Sequence, residues 1–299
     1  MTWEDTFQSW AKPPSETEQT KCDNAVRAVQ KAIAGSSTLS SRKVTAFPQG
    51  SYCNRTNVRL DSDVDVCILS REVCFVDYSF VQGLTDADVG LVDHPYTYAE
   101  FRNDVEETLR SYFGHSSITR GKKAFDIHEN SYRIDADAVA CFEHRRYQRN
   151  AAGEIYYDSG TQFLPDGGGK IVNWPEQNYE NGVAKNKQTG GRFKDAVRIV
   201  KRLRNKMADD GVAAAKPIPS FLVENLVWNV PKEGFGHDTY KSEVQWVLAH
   251  LFNNTRNTDD CKEWGEINEY KYLFRASQPW TMGQAHAFVS AAWDYIGLD

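Results

Sequence analysis

Two aspartates separated by one residue, Asp63-Val64-Asp65, are the part of this sequence best suited to chemistry. They open a β-branched, alternating run that reads as a strand over 64–69. Side chains on a strand alternate between faces, so Asp63 and Asp65 share one face while Val64 and Val66 point into a core. Two carboxylates this close repel each other unless a cation lies between them. Oxygen-only ligands favour a hard ion such as magnesium. Eleven residues separate this pair from Gly50-Ser51, within Gln49-Gly50-Ser51-Tyr52. Glycine permits close backbone approach to a ligand, and the Ser51 hydroxyl and neighbouring amides suit phosphate oxygens. A second alternating run, Arg133-Ile134-Asp135-Ala136-Asp137-Ala138-Val139-Ala140-Cys141, offers Asp135 or Asp137 as a third carboxylate. Three carboxylates can hold two metal ions, stabilise attacking and leaving oxygens, and accept a proton.

The elements that must position these groups are legible in outline. A helix is expected over 13–34, with a capping box from Ser15 to Glu18 and apolar Cys22, Val26, Val29 and Ile33. Strands are expected at 44–47, 64–69, 124–128 and 132–140, and an amphipathic helix from Tyr98 to Tyr112. Asp166-Gly167-Gly168-Gly169 marks a loop and a lobe boundary. Beyond residue 190 the pattern turns helical. Phe193, Val197, Val200, Leu203 and Met207 form an apolar face, and further helices are expected at 219–230, 241–253 and 282–296. Opposite that apolar face run Lys194, Arg198, Lys201 and Asn205.

Composition narrows the function classes. The chain has 299 residues, 40% hydrophobic and 25% charged, enough for a substantial core without disulfides. A net charge of -6 argues against stable DNA or RNA binding, which draws on phosphate neutralisation. No run of 18 apolar residues suggests a membrane span, and the first residues do not read as a signal peptide. Six cysteines without a CxxC pair suit a reducing, cytoplasmic setting.

Taken in order, Gly50-Ser51, Asp63-Val64-Asp65 and a later aspartate resemble the signature of the polymerase-β-like nucleotidyltransferases. More closely, the chain resembles the cGAS/DncV-like group of bacterial cyclic-oligonucleotide synthases (CD-NTases), in their CdnE branch. The segments that carry this are Phe47-Pro48-Gln49-Gly50-Ser51-Tyr52 to Asp65, Arg145-Arg146-Tyr147, Val172-Asn173-Trp174-Pro175 and Glu180-Asn181-Gly182-Val183-Ala184-Lys185-Asn186. Pro219-Ser220-Phe221-Leu222-Val223-Glu224-Asn225-Leu226 also resembles the second lobe of oligoadenylate synthetases. Asp137-Ala138-Val139-Ala140-Cys141 is similar to the family's Asp-Val-Val-x-Cys segment, which selects Asp137 over Asp135.

The resemblance implies an α+β fold: a polymerase-β-like core of mixed sheet and helices over 1–170, with an N-terminal spine helix, then a mostly helical lobe over 171–299. The active site is expected in the cleft between them. Asp63, Asp65 and Asp137 are expected to hold two Mg2+ ions, with Mn2+ as a substitute. Gln49, Gly50 and Ser51 are expected to bind the nucleotide, and Lys201 and Ser220 to reach the donor triphosphate. Asn173 matches the asparagine of the family's pyrimidine-using members, and its carboxamide complements the edge of uracil, where O4 accepts and N3–H donates. Tyr52 is a candidate for stacking on a base. The implied reaction joins two NTPs, UTP and ATP being expected, into a cyclic dinucleotide such as cyclic UMP–AMP or cyclic di-UMP, with pyrophosphate released. A monomer is expected, and its product would activate a separate effector in bacterial anti-phage (CBASS) defence. The competing readings are nucleotide addition to an RNA end or small molecule, and a non-catalytic nucleotide-binding module.

Overall fold

The computed structural model describes residues 2–58 and 63–297; Asp61 and Ser62 of the aspartate stretch lie outside the described residues. The elements in chain order are α1 (Trp3–Ala11), α2 (Glu16–Ala34), β1 (Val44–Pro48), α3 (Gly50–Cys53), β2 (Val64–Asp77), α4 (Tyr98–Phe113), β3 (Ile118–Arg120), β4 (Phe125–Ile127), β5 (Ala136–Arg149), β6 (Ile155–Phe163), β7 (Ile171–Asn173), α5 (Pro175–Gln188), α6 (Arg192–Asp209), α7 (Ser220–Trp228), α8 (Tyr240–Thr255), α9 (Thr258–Cys261) and α10 (Met282–Ile296). The chain divides into two compact units. One holds Glu16–Tyr52 and Asp63–Pro175; the other holds the described residues of Met1–Ser15, Cys53–Ser62 and Glu176–Asp299.

The first unit is a seven-stranded mixed sheet in the order β1-β2-β5-β4-β3, with β6 continuing from β5 and β7 from β6. β2 and β5 run parallel, and the remaining pairs are antiparallel. Apolar residues recurring at helical spacing on α2 (Cys22, Val26, Val29, Ile33) and on α4 (Tyr98, Phe101, Val105, Leu109) join the strands in one core. Thr97 and Glu100 form a capping box that starts α4.

The second unit is helical. α6 contributes Phe193, Val197, Val200, Leu203 and Met207 to a core shared with α7, α8 and α10. Lys185 of α5 donates to the Trp228 and Val230 carbonyls at the end of α7. Its ammonium lies 4.7 Å from the centre of the Trp228 ring and 5.5 Å from that of Phe193. Burial pushes its pKa down to about 8. No helix among the described residues is long and apolar enough to cross a membrane.

The structure departs from the sequence expectations in several places. The helix expected from residue 13 begins at Glu16, and Trp3–Ala11 forms a separate helix whose Phe7 and Ala11 enter the core of the helical unit. The described residues up to Ser15 therefore group with those from Glu176 onward, and the sheet unit ends at Pro175. The strand expected over 132–140 starts at Ala136 and runs on to Arg149, because β6 pairs with its distal half. β6 itself contains Asp158-Ser159-Gly160, residues poor in strand propensity, and gave no strand signal.

Candidate active site

The carboxylates owe their arrangement to strand register. Asp65 lies opposite Asp137 in the parallel β2–β5 pair, and Asp137 lies opposite Asp126 in the antiparallel β4–β5 pair. Neighbouring strands lie about 4.8 Å apart and residues in register share a face, so these three acids form one row. Their chain neighbours Val64, Val66, Ala136, Ala138, Phe125 and Ile127 are all buried beneath them. Asp63, the residue just before β2, is exposed beside this row.

The electrostatics reflect the crowding. Partial burial raises the Asp137 carboxyl above its ordinary range, and the charges of Asp63, Asp126 and Asp135 raise it further. Asp63 is raised for the same reasons, with Asp135, Asp126 and Glu129 as its neighbours. Among the described residues no three His, Cys, Asp or Glu side chains converge closely enough to chelate an ion alone. The donor set of Asp63, Asp65 and Asp137 is oxygen-only, which suits a hard ion such as magnesium.

Asp135 has a different local task. Its carboxylate accepts from the Glu129 amide, closing the turn before β5, and its carbonyl accepts from Val64 N at 3.1 Å. Of the two aspartates, only Asp137 stands in register with Asp65.

The turn after β1 comes against the same carboxylate. Gln49 N donates to Asp65 O at 2.9 Å. Gly50 has a φ of 66°, and a Cβ built on it would lie 2.2 Å from Asp65 Oδ2. Glycine is thus required twice here, for the left-handed backbone and for the approach to Asp65. Ser51 follows in α3, half-buried. Tyr52, a sequence candidate for base stacking, is instead a core residue: its hydroxyl donates to Asp23 Oδ1 and accepts from Gln19 Nε2 at 2.7 Å.

Asn173 ends β7 opposite Thr161. Gly160 lets the strand end pack closely, since a Cβ there would lie 2.8 Å from the Asn173 carbonyl oxygen and 2.8 Å from the Trp174 ring. Trp174 is buried edge-on to His144, which is itself held by Gln162 at 2.9 Å. The half-buried Asn173 side chain makes no hydrogen bond among the described residues.

Lys201 and Ser220 lie in the helical unit. Lys194, Arg198 and Lys201, the stripe opposite the apolar face of α6, are themselves buried. Lys201 donates to Glu224 Oε2 at 2.7 Å, Thr56 O at 3.2 Å and Thr56 Oγ1 at 3.3 Å. These bonds use all three ammonium donors, so a phosphate contact must replace one of the longer bonds to Thr56. Ser220, the first residue of α7, accepts from Arg204 at 2.5 Å. Asp126, Gly160 and Glu224 were not singled out by sequence. Only Glu224 carried a signal, as the acid within an otherwise apolar helix.

The cGAS/DncV-like nucleotidyltransferase C-terminal helical domain matches residues 180–297. The chain is 48% identical to a cyclic dipyrimidine nucleotide synthase CdnE from Legionella pneumophila, across 98% of each protein. It is 39% identical to a cyclic dipyrimidine nucleotide synthase CdnE from Cecembia lonarensis, again across 98% of each. The solved structure of the Rhodothermus marinus CdnE c-UMP-AMP synthase with Apcpp and Upnpp superposes with a TM-score of 0.85 at 29% identity, covering 99% of this chain and 98% of that one. Sheet, helical unit and full-length likeness agree: the chain belongs to the cGAS/DncV-like nucleotidyltransferases, in their CdnE branch.

Proposed function

We propose that this enzyme joins two NTPs into a uridine-containing cyclic dinucleotide, cyclic UMP–AMP or cyclic di-UMP, releasing two pyrophosphates. The observation that carries the reading is the Asp65–Asp137 pair in register, with Gly50 packed on Asp65. Asp63, Asp65 and Asp137 are the residues to hold two Mg2+ ions, or Mn2+ in their place. Such ions neutralise triphosphate charge and favour ionisation of the attacking hydroxyl. Gln49, Gly50 and Ser51 orient the donor phosphates through backbone amides and the serine hydroxyl. Lys201 and Ser220 supply further triphosphate contacts, Lys201 by exchanging a Thr56 bond. A carboxylate oxygen of Asp137 takes the proton from a ribose hydroxyl of the acceptor. The hydroxyl oxygen bonds to the donor α-phosphorus, and the bond to pyrophosphate breaks. A second transfer within the linear intermediate closes the ring. Catalysis is mainly positioning and charge neutralisation.

The uridine preference is assigned to Asn173. Its carboxamide has no other hydrogen-bond partner among the described residues and can meet uracil O4 and N3–H together. The names of the two relatives above, both dipyrimidine synthases, support a pyrimidine product. The product, made by a monomer in the cytoplasm, activates a separate effector in anti-phage defence.

Incubation with all four NTPs and Mg2+ or Mn2+, with products identified by mass spectrometry, tests the reaction. A cyclic product from the wild type, absent from Asp63→Asn/Asp65→Asn, is expected. Asn173→Ser should shift the product from pyrimidine towards purine; an unchanged base ratio removes Asn173 from base selection. Linear oligomers alone would move the assignment to nucleotide addition at an RNA end.

A further inference from the structure

Residues 54–58 lie in the chain between Gly50-Ser51 and Asp63, and Asn54, Thr56 and Asn57 are among the most buried polar residues of the helical unit. Asn54, Thr56, Asn57 and Val58 are all 7% exposed or less, and Thr56 is fully buried. An irregular segment inside a fold needs partners for its polar groups. One side chain supplies several of them. Glu224 of α7, 4% exposed, accepts from Thr56 Oγ1 at 2.8 Å and Lys201 Nζ at 2.7 Å through Oε2, and from Asn54 Nδ2 at 3.3 Å through Oε1. Arg198 adds a second hold, donating to Arg55 O at 2.6 Å. Arg55 itself has a φ of 55°, a conformation that costs a non-glycine residue energy and persists only where its surroundings impose it.

We infer that Glu224 is a positioning residue for nucleotidyl transfer: its buried carboxylate fixes the strap of residues 54–58 at Asn54 and Thr56 and holds the Lys201 ammonium in place. The same carboxylate orients the Lys201 ammonium, so a triphosphate oxygen that displaces Thr56 from Lys201 meets a cation already held by Glu224. The inference rests on the proposed transferase reaction, in which Lys201 contacts the donor triphosphate. Glu224 touches neither substrate nor metal in this scheme and acts through Lys201 and the strap.

The test is a double-mutant cycle of Glu224→Gln and Thr56→Val. Thr56→Val removes the hydroxyl's bonds to Glu224 and Lys201 while leaving the Lys201–Glu224 pair, and as a near-isosteric change it is measured by itself against the wild type if Glu224→Gln fails to fold. Kinetics are measured well below each melting midpoint, with amide hydrogen exchange of residues 54–58 alongside. We expect Glu224→Gln to lower kcat/KM on the order of 100-fold, with KM for NTP raised, since a misplacement of about 1 Å has that scale. Thr56→Val should lose roughly tenfold, less than proportionally in the double variant because both act through one strap. Exchange of 54–58 should quicken in both single variants. A purely structural Glu224 gives a lower melting midpoint with kcat and KM unchanged in the folded protein, which overturns the inference; so do strictly additive losses. An inactive wild type with fast exchange in Glu224→Gln defeats the reaction and, with it, the positioning role, while still recording the clamp.

Discussion

Replacing Gly50 by alanine separates the fold from the site. The backbone there has a φ of 66°, so an L residue incurs about 1–2 kcal/mol. The new Cβ would stand 2.2 Å from Asp65 Oδ2, 3.0 Å from Cγ and 3.3 Å from Cβ. The nearest atom is the end of a side chain, so rotating the Asp65 carboxylate relieves the worst overlap without unfolding the sheet. The stability loss is therefore close to the backbone term, a fall in melting midpoint of about 2–8 °C. The functional loss expected from the proposed reaction is larger, because the atom that moves belongs to Asp65, one of the carboxylates assigned to hold the metal ions. A displacement of about 1 Å in such a group lowers kcat/KM on the order of 100-fold. Thermal melts of the nucleotide-free protein, paired with product formation measured well below the midpoint, read the two effects separately. A Gly50→Ala variant that melts a few degrees lower but turns over like the wild type would refute the claim that this glycine exists for its approach to Asp65.

Two further predictions concern charge. Because the raised pKa of Asp137 means that its ionised form is disfavoured in the folded state, its contribution to stability is lost as pH rises through that pKa. Asp137→Asn should accordingly stabilise the protein at neutral pH in chelator, while abolishing turnover. Adding Mg2+ should raise the wild-type melting midpoint and move the variant's less. Lys185 has the opposite sign: its pKa of about 8 means the fold binds fewer protons than the unfolded chain between pH 8 and the ordinary lysine range. Wild-type stability should gain on Lys185→Met across that window, as measured by denaturant unfolding; parallel pH profiles would show that Lys185 is not the titrating group.

What the sequence shows well is periodicity. Asp63 and Asp65 were assigned to one face because a strand repeats every two residues, and β2 places Asp65 between buried Val64 and Val66. Period alone did not separate Asp135 from Asp137, which share parity; that needed the register of a partner strand and the turn that occupies the Asp135 carboxylate. Asp126 was invisible because a three-residue strand has no period to read. α6 shows its apolar face in its period, but the burial of Lys194, Arg198 and Lys201 on the other side has no signal in the sequence. Carbonyls of Ala11, Arg55 and Thr56, distant in sequence, cover Arg198 and Lys201. α1 could have been read: Trp3, Phe7, Trp10 and Ala11 recur at helical spacing behind the Thr2–Asp5 capping box.

The row of acids explains why the strands around it are so apolar underneath. A carboxylate row in this chain opposes folding, as the raised Asp63 and Asp137 indicate, so its alignment cannot come from attraction between its members. It comes from Val64, Val66, Ala136, Ala138, Phe125 and Ile127, each 1% exposed or less. Slipping any of the three strands by one residue would drive an aspartate into that layer and an apolar residue out of it. Register is therefore held by the buried face and spent on the other. In the proposed reaction the acids would stay aligned whatever the state of charge above them, because the residues that align them lie on the opposite, buried face of the sheet.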